Sequence, residues 1–256
     1  MKKVALAIAA HPDDIEFVMS GTLMLLRKSG FEIHYLNLSS GNLGSNTLSE
    51  SDIKEVRAEE SRSSALLMGA TWHPPFLNDL EIVYHINYLR ELSALIRSIK
   101  PTILLTHSPQ DYMEDHMCTS RLAVTAAFSR GMPNFKTLPP KSHFDAPIAI
   151  YHSQPHMNRD QMGEFIEPKF GVDVSSVIAE KRESLLSHKS QKDWLDASQG
   201  IDSYINTMES NLKEVGKSLH VDGFVEGWRP HSHFGYCDSN FKPLEKALKP
   251  YLINRN

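Results

Sequence analysis

Seven apolar residues, Val4 to Ala10, run without interruption into His11-Pro12-Asp13-Asp14, and this junction constrains the chain more than any other stretch. An apolar run of that length without alternation fits a strand buried on both faces. The polar residues after it fit a turn opening into a helix, since Pro12 is tolerated in a helix's first turn. Behind Met1-Lys2-Lys3 the run also has the outline of a short secretory leader with an Ala-x-Ala end. We adopt the strand, because cleavage would leave the His-Pro-Asp-Asp cluster on a loose terminus. That choice carries the expectation of a cytoplasmic protein.

From this first strand the pattern alternates. Ile15 to Ser29 has helical spacing and stops before Gly30, and Glu32 to Ser39 reads as a strand. Ser39 to Ser49 is a loop by its Ser, Gly and Asn content. Ser51 to Met68 is a charged amphipathic helix ending at Gly69. Thr71 to Leu77 is a short strand weakened by two prolines. His85 to Lys100 is a helix, Thr102 to His107 a strand, Asp115 to Gly131 a helix and Pro147 to Tyr151 a strand. The expected fold is therefore α/β: a Rossmann-like, doubly wound, mostly parallel sheet with helices on both faces. Its site should lie at the carboxyl edge of the strands. Val174 to Lys189 and Ile201 to Leu219 read as helices, and Val221 to Tyr251 as an irregular tail with a last short helix. We expect a single domain over 1–256, with a core of about 1–191. Residues 192–256 would add helices and a lid or wall over the site.

Composition narrows the function classes. A formal charge of -4 provides no basic field for nucleic acid and no polybasic membrane patch. No stretch reaches the roughly 18 apolar residues of a membrane span. Two cysteines, Cys118 and Cys237, make no disulfide framework and suit a reducing compartment.

Chemistry concentrates at two strand ends. With a helix starting at Pro12, His11 and Asp14 fall three residues apart and can point to one side, while Asp13 projects elsewhere. Alternatively, Asp13 and Asp14 are helix N-cap acids. The second cluster follows Ile103-Leu104-Leu105 and runs from His107 to His116 through Asp111, Tyr112 and Asp115. His107 is either a satisfied strand-end histidine or a site group. Asp115 can orient a ring nitrogen or cap the helix. Two imidazoles and one carboxylate, His11, His116 and Asp14, would make a catalytic zinc site with an open position; iron(II) fits the same donors. Asp13, beside the ion without binding it, would be the general base.

Ala10-His11-Pro12-Asp13-Asp14-Ile15-Glu16 resembles the signature of the LmbE-like, or PIG-L, family of zinc-dependent N-deacetylases. Asp115-His116, Val56-Arg57-x-x-Glu60 and the stretch from Lys181-Arg182 to His188-Lys189-Ser190-Gln191 extend the resemblance from about residue 4 to 191. The resemblance implies His11, Asp14 and His116 as metal ligands and Asp13 as base. It also implies Arg57 and Asp79 as substrate-binding residues, and homo-oligomers would be unsurprising. One departure stands out. Many members carry a histidine three residues before the third ligand, where this chain has Met113. His107, Tyr112, His231 and His233 are the groups considered to replace it; the last two otherwise remain loop histidines.

The expected activity is zinc-dependent hydrolysis of the N-acetyl group of an N-acetylglucosamine-type sugar or conjugate, a small molecule. Rival readings are a metal-retaining carbohydrate or metabolite binder without turnover, which Met113 favours, and hydrolysis of another bond such as a phosphoester. Smaller features have two readings each. Ser40 to Ser45 is an anion-binding backbone loop or a plain flexible one. Trp72, Trp194 and Trp228 stack on a sugar or pack in the core. His188 is a capping residue at a helix end or a site group.

Overall fold

Val4–Ala9 forms strand β1 with every residue buried, and its two faces feed two different cores. Ala5, Ala7 and Ala9 face one core, and Leu6 and Ile8 face the other, which is why the run shows no polar alternation. In this computed structural model, which describes residues 3–192 and 203–255, β1 pairs in parallel with β2 (Glu32–Asn37) and with β4 (Ile103–Thr106). Two further parallel strands, β3 (Thr71–His73) and β5 (Ala149–Ser153), extend the sheet outward on either side. β6 (Phe170–Asp173), β7 (Val225–Pro230) and β8 (Leu252–Asn254) complete it in antiparallel sense. The strand order is β3-β2-β1-β4-β5-β7-β6-β8.

The chain builds outward from β1 through β2 to β3, then returns to β4 on β1's other side. Strand order thus reverses between β1 and β4, where doubly wound sheets open a crevice at the strands' carboxyl ends. Both chemistry-bearing motifs leave the sheet at this point, because Ile8 is paired with Thr106. One face is covered by helices α1 (Asp14–Val18), α2 (Ser20–Lys28), α3 (Glu50–Met68), α6 (Ile178–Leu186), α7 (Ser203–Ser218) and α8 (Pro243–Ala247). The other is covered by α4 (Ile86–Ile99) and α5 (Glu114–Phe128). Ser49 caps α3 by accepting from Asp52 N–H, and Gly69 ends it at φ 69°. None of the described helices is long and apolar enough to cross a membrane.

Three expectations needed correction. The single helix over 15–29 is two helices, broken at Met19 with φ -137°. The freed carbonyls of Glu16 and Phe17 accept from the buried Lys181 ammonium, and the N–H groups of Gly21 and Thr22 donate to Glu226. Partners that far along the chain leave no local trace. The third strand stops at His73, ahead of Pro74 and Pro75. The irregular tail contains β7, inserted between β5 and β6, where Gly227 permits close approach of Gln154 and Pro168.

Candidate active site

The turn after β1 closes on itself: His11 N–H donates to Asp14 Oδ2 at 2.7 Å and Asp14 N–H to the His11 carbonyl at 3.2 Å. Between them Asp13 holds φ 109°, a strained value for any residue with a Cβ. Asp13 stands at the N-cap of α1, yet its side chain makes no capping bond. The carboxylate instead accepts from Tyr204 Oη at 2.8 Å and from Arg57 Nη2 at 3.3 Å. The N-cap account of Asp13 therefore fails on the structure.

The loop after β4 delivers the second set. His116, in the first turn of α5, donates Nδ1–H to the wholly buried Asp111 at 3.0 Å, leaving Nε2 3.4 Å from Asp14 Oδ1. His11 donates Nε2–H to Asp115 Oδ2 at 3.0 Å, leaving Nδ1 3.4 Å from Asp14 Oδ2. Each ring is thus oriented by a carboxylate on one nitrogen and presents the other toward Asp14, the arrangement that fixes metal-binding histidines. Asp115 also accepts from Leu80 N–H.

One ring nitrogen each of His11 and His116 and a carboxylate oxygen of Asp14 all lie within 4.8 Å of one another. Ligand atoms around a tetrahedral zinc stand about 3.3–3.6 Å apart, so the two 3.4 Å separations suit a shared cation better than direct hydrogen bonds. His107, Asp111 and His116 form a second such group. There Asp111 already binds His116, and His107 Nε2 accepts from Ala10 N–H at 2.9 Å. His107 stacks on His116 with ring centroids 4.1 Å apart, and neither His107 nor Asp111 lines the cavity.

The electrostatics match. Burial opposes a charge on His11, but hydrogen bonds to Asp115 and Asp14 outweigh it and push the imidazole up to about 9. Burial likewise opposes protonation of His116, and Asp14 and Asp111 overcome it. Against the cost of burial, His116 and His107 hold Asp14 well below the usual carboxylate range. The ionised Asp14 thus draws protons onto His11 and His116, the place a bound cation would take, while burial keeps His107 neutral. Asp13 moves the other way: burial raises it, offset in part by Arg57.

His11, Asp13, Asp14 and His116 open on a cavity of about 420 Å³ that Arg57, Asp79, Tyr112 and Met113 also line. Arg57 is buried and donates through Nη2 to the Pro12 carbonyl as well as to Asp13, so it braces the turn that carries the acids. Asp79 accepts from Ser39 Oγ at 2.7 Å, Gly41 N–H at 2.9 Å and Leu43 N–H at 3.1 Å. The Ser40 to Ser45 loop is therefore neither an open anion cradle nor slack, because Asp79 fills it. Any Cβ at Gly41 or Gly44 would strike Arg57.

Other expectations fell elsewhere. His231 bonds His152 Nε2 at 3.0 Å in a separate pocket, and His233 is not among the cavity's lining residues. Trp228 is fully buried and donates to Thr22, and Trp72 packs under Arg62 away from the cavity. Trp194 lies outside the described residues. His188 does not cap a helix; it is buried 3.2 Å from Glu16 Oε1. Sequence reasoning missed Tyr204, His156 and Gln191, all in the cavity wall. Of these only Gln191 stood in a motif.

Residues 6–127 match the family model of the GlcNAc-PI de-N-acetylases, PIG-L. The matched stretch carries His11, Asp13, Asp14 and His116, and the chain is similar to this family over it. Among its relatives, the diacetylchitobiose deacetylase of Thermococcus kodakarensis is 29% identical over 203 residues, covering 75% of this chain and 70% of that protein. A 4-oxalmesaconate hydratase of Pseudomonas putida is 27% identical over 188 residues, 70% of each chain. Among solved structures, N,N'-diacetylchitobiose deacetylase from Pyrococcus horikoshii superposes with a TM-score of 0.73 at 23% identity, covering 94% of this chain and 88% of that one. The shared fold is the doubly wound sheet described above.

Proposed function

We propose that this protein hydrolyses the N-acetyl group of an N-acetylglucosamine-type sugar or glycoconjugate, releasing acetate and a free amine. The observation that carries the reading is the position of Asp13: beside the His11, Asp14 and His116 group, turned away from capping its own helix and facing the cavity. A divalent ion, zinc by the character of this donor set, would be held by those three residues and would polarise the amide carbonyl and acidify a water.

The chain's own groups do the rest. Asp13 accepts the water's proton and passes it to the leaving nitrogen, in the role of general base and then acid. Tyr204 and Arg57 hold Asp13 in place, and Asp115 and Asp111 hold the two imidazoles. A cavity of about 420 Å³ suits a small-molecule ligand. Among the described lining residues Arg57 is the one Lys or Arg and is already engaged, which favours a substrate without an anionic group beside the sugar. The names of the relatives that are deacetylases of sugars support the same reading.

The test is acetate release from a panel of N-acetylglucosamine glycosides with zinc added, comparing wild type with Asp13→Asn. Release by the wild type alone is expected. Release by neither protein, with zinc bound, would count against the reading. The hydratase relative, together with Met113, favours a second reading in which the activated water adds to an unsaturated acid; turnover of 4-oxalmesaconate and no acetate release would support it.

A further inference from the structure

Amide hydrolysis builds negative charge on the acyl oxygen, and a fixed N–H or O–H donor facing that atom lowers the barrier. Met113, at the N-cap of α5, lines the cavity and offers no such donor. Among the described residues three imidazoles line the cavity: His11, His116 and His156. The first two are spoken for, each bound to a carboxylate through one nitrogen and facing Asp14 with the other. His156 has no hydrogen-bond partner among the described residues.

The position of His156 is built rather than incidental. Its ring packs edge-on to Phe17 at 5.3 Å and lies 5.7 Å from Tyr112, whose ring stands 5.7 Å from and edge-on to His116. Tyr112 thus touches both His156 and His116, and all three line the same cavity. The two residues after it, Met157 and Asn158, hold φ 58° and 56°, an uncommon conformation for side-chain-bearing residues and rarer still in succession. The buried Asn158 amide pins this turn to α7, donating to the Asn211 carbonyl at 3.0 Å and to Glu214 Oε2 at 2.8 Å. α7 also carries Tyr204, which donates to Asp13. One helix therefore fixes both the base and this imidazole.

We infer that His156 is a catalytic residue whose ring N–H holds the acyl oxygen as it becomes an oxyanion, an inference that rests on the N-deacetylase reading. Water oxygen bonds to the acyl carbon while one water proton passes to Asp13. The carbonyl π pair moves onto the acyl oxygen, which accepts the His156 N–H. The pair then returns, the C–N bond breaks, and the nitrogen takes the proton from Asp13. Acetic acid leaves and loses its remaining proton to solvent. His156 stays neutral and transfers no proton.

The experiment compares wild type, His156→Ala, His156→Gln, and His156→Ala combined with Met113→His, on any glycoside from which the wild type releases acetate. Zinc content and melting temperature are measured on each. His156→Ala is expected to lower kcat about 10²–10³-fold, as for other single oxyanion donors. KM, zinc content and melting temperature should stay near wild type. His156→Gln, which keeps an N–H donor, should retain part of the rate, and Met113→His should restore part of what His156→Ala loses. Wild-type kcat in His156→Ala would overturn the inference while leaving the deacetylase reading intact. Loss of zinc or of folded structure in both His156→Ala and His156→Gln would make His156 a structural residue and overturn it too. No acetate from the wild type on any glycoside would overturn the deacetylase reading, and the inference with it.

Discussion

Lys181 Nζ lies 2.7 Å from Glu226 Oε1, and neither side chain is exposed to solvent. The pair spans the break between α1 and α2: Lys181 satisfies the carbonyls of Glu16 and Phe17, and Glu226 satisfies the N–H groups of Gly21 and Thr22. The short α1 that follows the His11 to Asp14 turn depends on that break. Lys181→Met would leave a buried carboxylate unpaired, which costs about 3–5 kcal/mol in comparable cases. Urea denaturation should show a lower midpoint with an unchanged slope.

Removing a ligand should remove the ion. His116→Ala is expected to hold far less zinc than wild type after dialysis against the metal, as measured by elemental analysis. Asp111→Asn should weaken zinc binding by about 10–100-fold, the usual effect of losing a carboxylate that orients a metal-bound ring. Wild-type occupancy in His116→Ala would remove it from the ligand set.

Metal uptake should release protons. In the metal-free protein His11 is pushed up to about 9 and His116 is also raised, so both carry a proton at pH 7. An ion bound there must displace both, releasing about two protons per zinc. Zinc affinity should therefore rise with pH across the range in which His11, near 9, and His116 lose their protons. Calorimetry in buffers of different ionisation enthalpy gives the proton count directly.

Arg57→Ala should act on rate and on pH dependence together. The guanidinium is what draws Asp13 down against the upward push of burial. Without it Asp13 titrates higher, so the ionised base is lost at a higher pH as pH falls, and the acid limb of the kcat profile shifts upward. Misplacement of the turn through the lost bond to Pro12 should cost about a hundredfold in kcat. A change confined to KM, with the acid limb unmoved, would return Arg57 to a purely substrate-binding role.

Gly44→Ala tests the packing behind that turn. The added Cβ would stand 2.6 Å from Arg57 Nη1 and 2.7 Å from Gln191 Nε2. The variant should fold and bind zinc, yet show part of the Arg57→Ala rate loss.

The parallel half of the sheet was legible because burial on both faces leaves continuous apolar runs, and each run ended where a polar cluster began. By that logic His11, Asp14 and His116 fall after adjacent strand ends. The antiparallel half was opaque: β7 is written Val-Glu-Gly-Trp-Arg-Pro, and its place between β5 and β6 depends on partners far along the chain. The same distance hid Tyr204, 191 residues from the carboxylate it holds. His156 was hidden differently, on a turn whose positive φ values arise from anchoring to α7 and not from glycine. Asp79, expected as a substrate contact, lines the cavity and also organises the loop whose groups its oxygens accept from, a role that depends on partners 36 to 40 residues away.

Asp13 sits at φ 109°, where glycine rests without strain and every other residue resists. Selection on this protein therefore pulls in two directions at one position. A library ranked by heat resistance alone should drift toward glycine there and lose turnover as it gains robustness. A library ranked by turnover should keep the aspartate and pay in melting temperature.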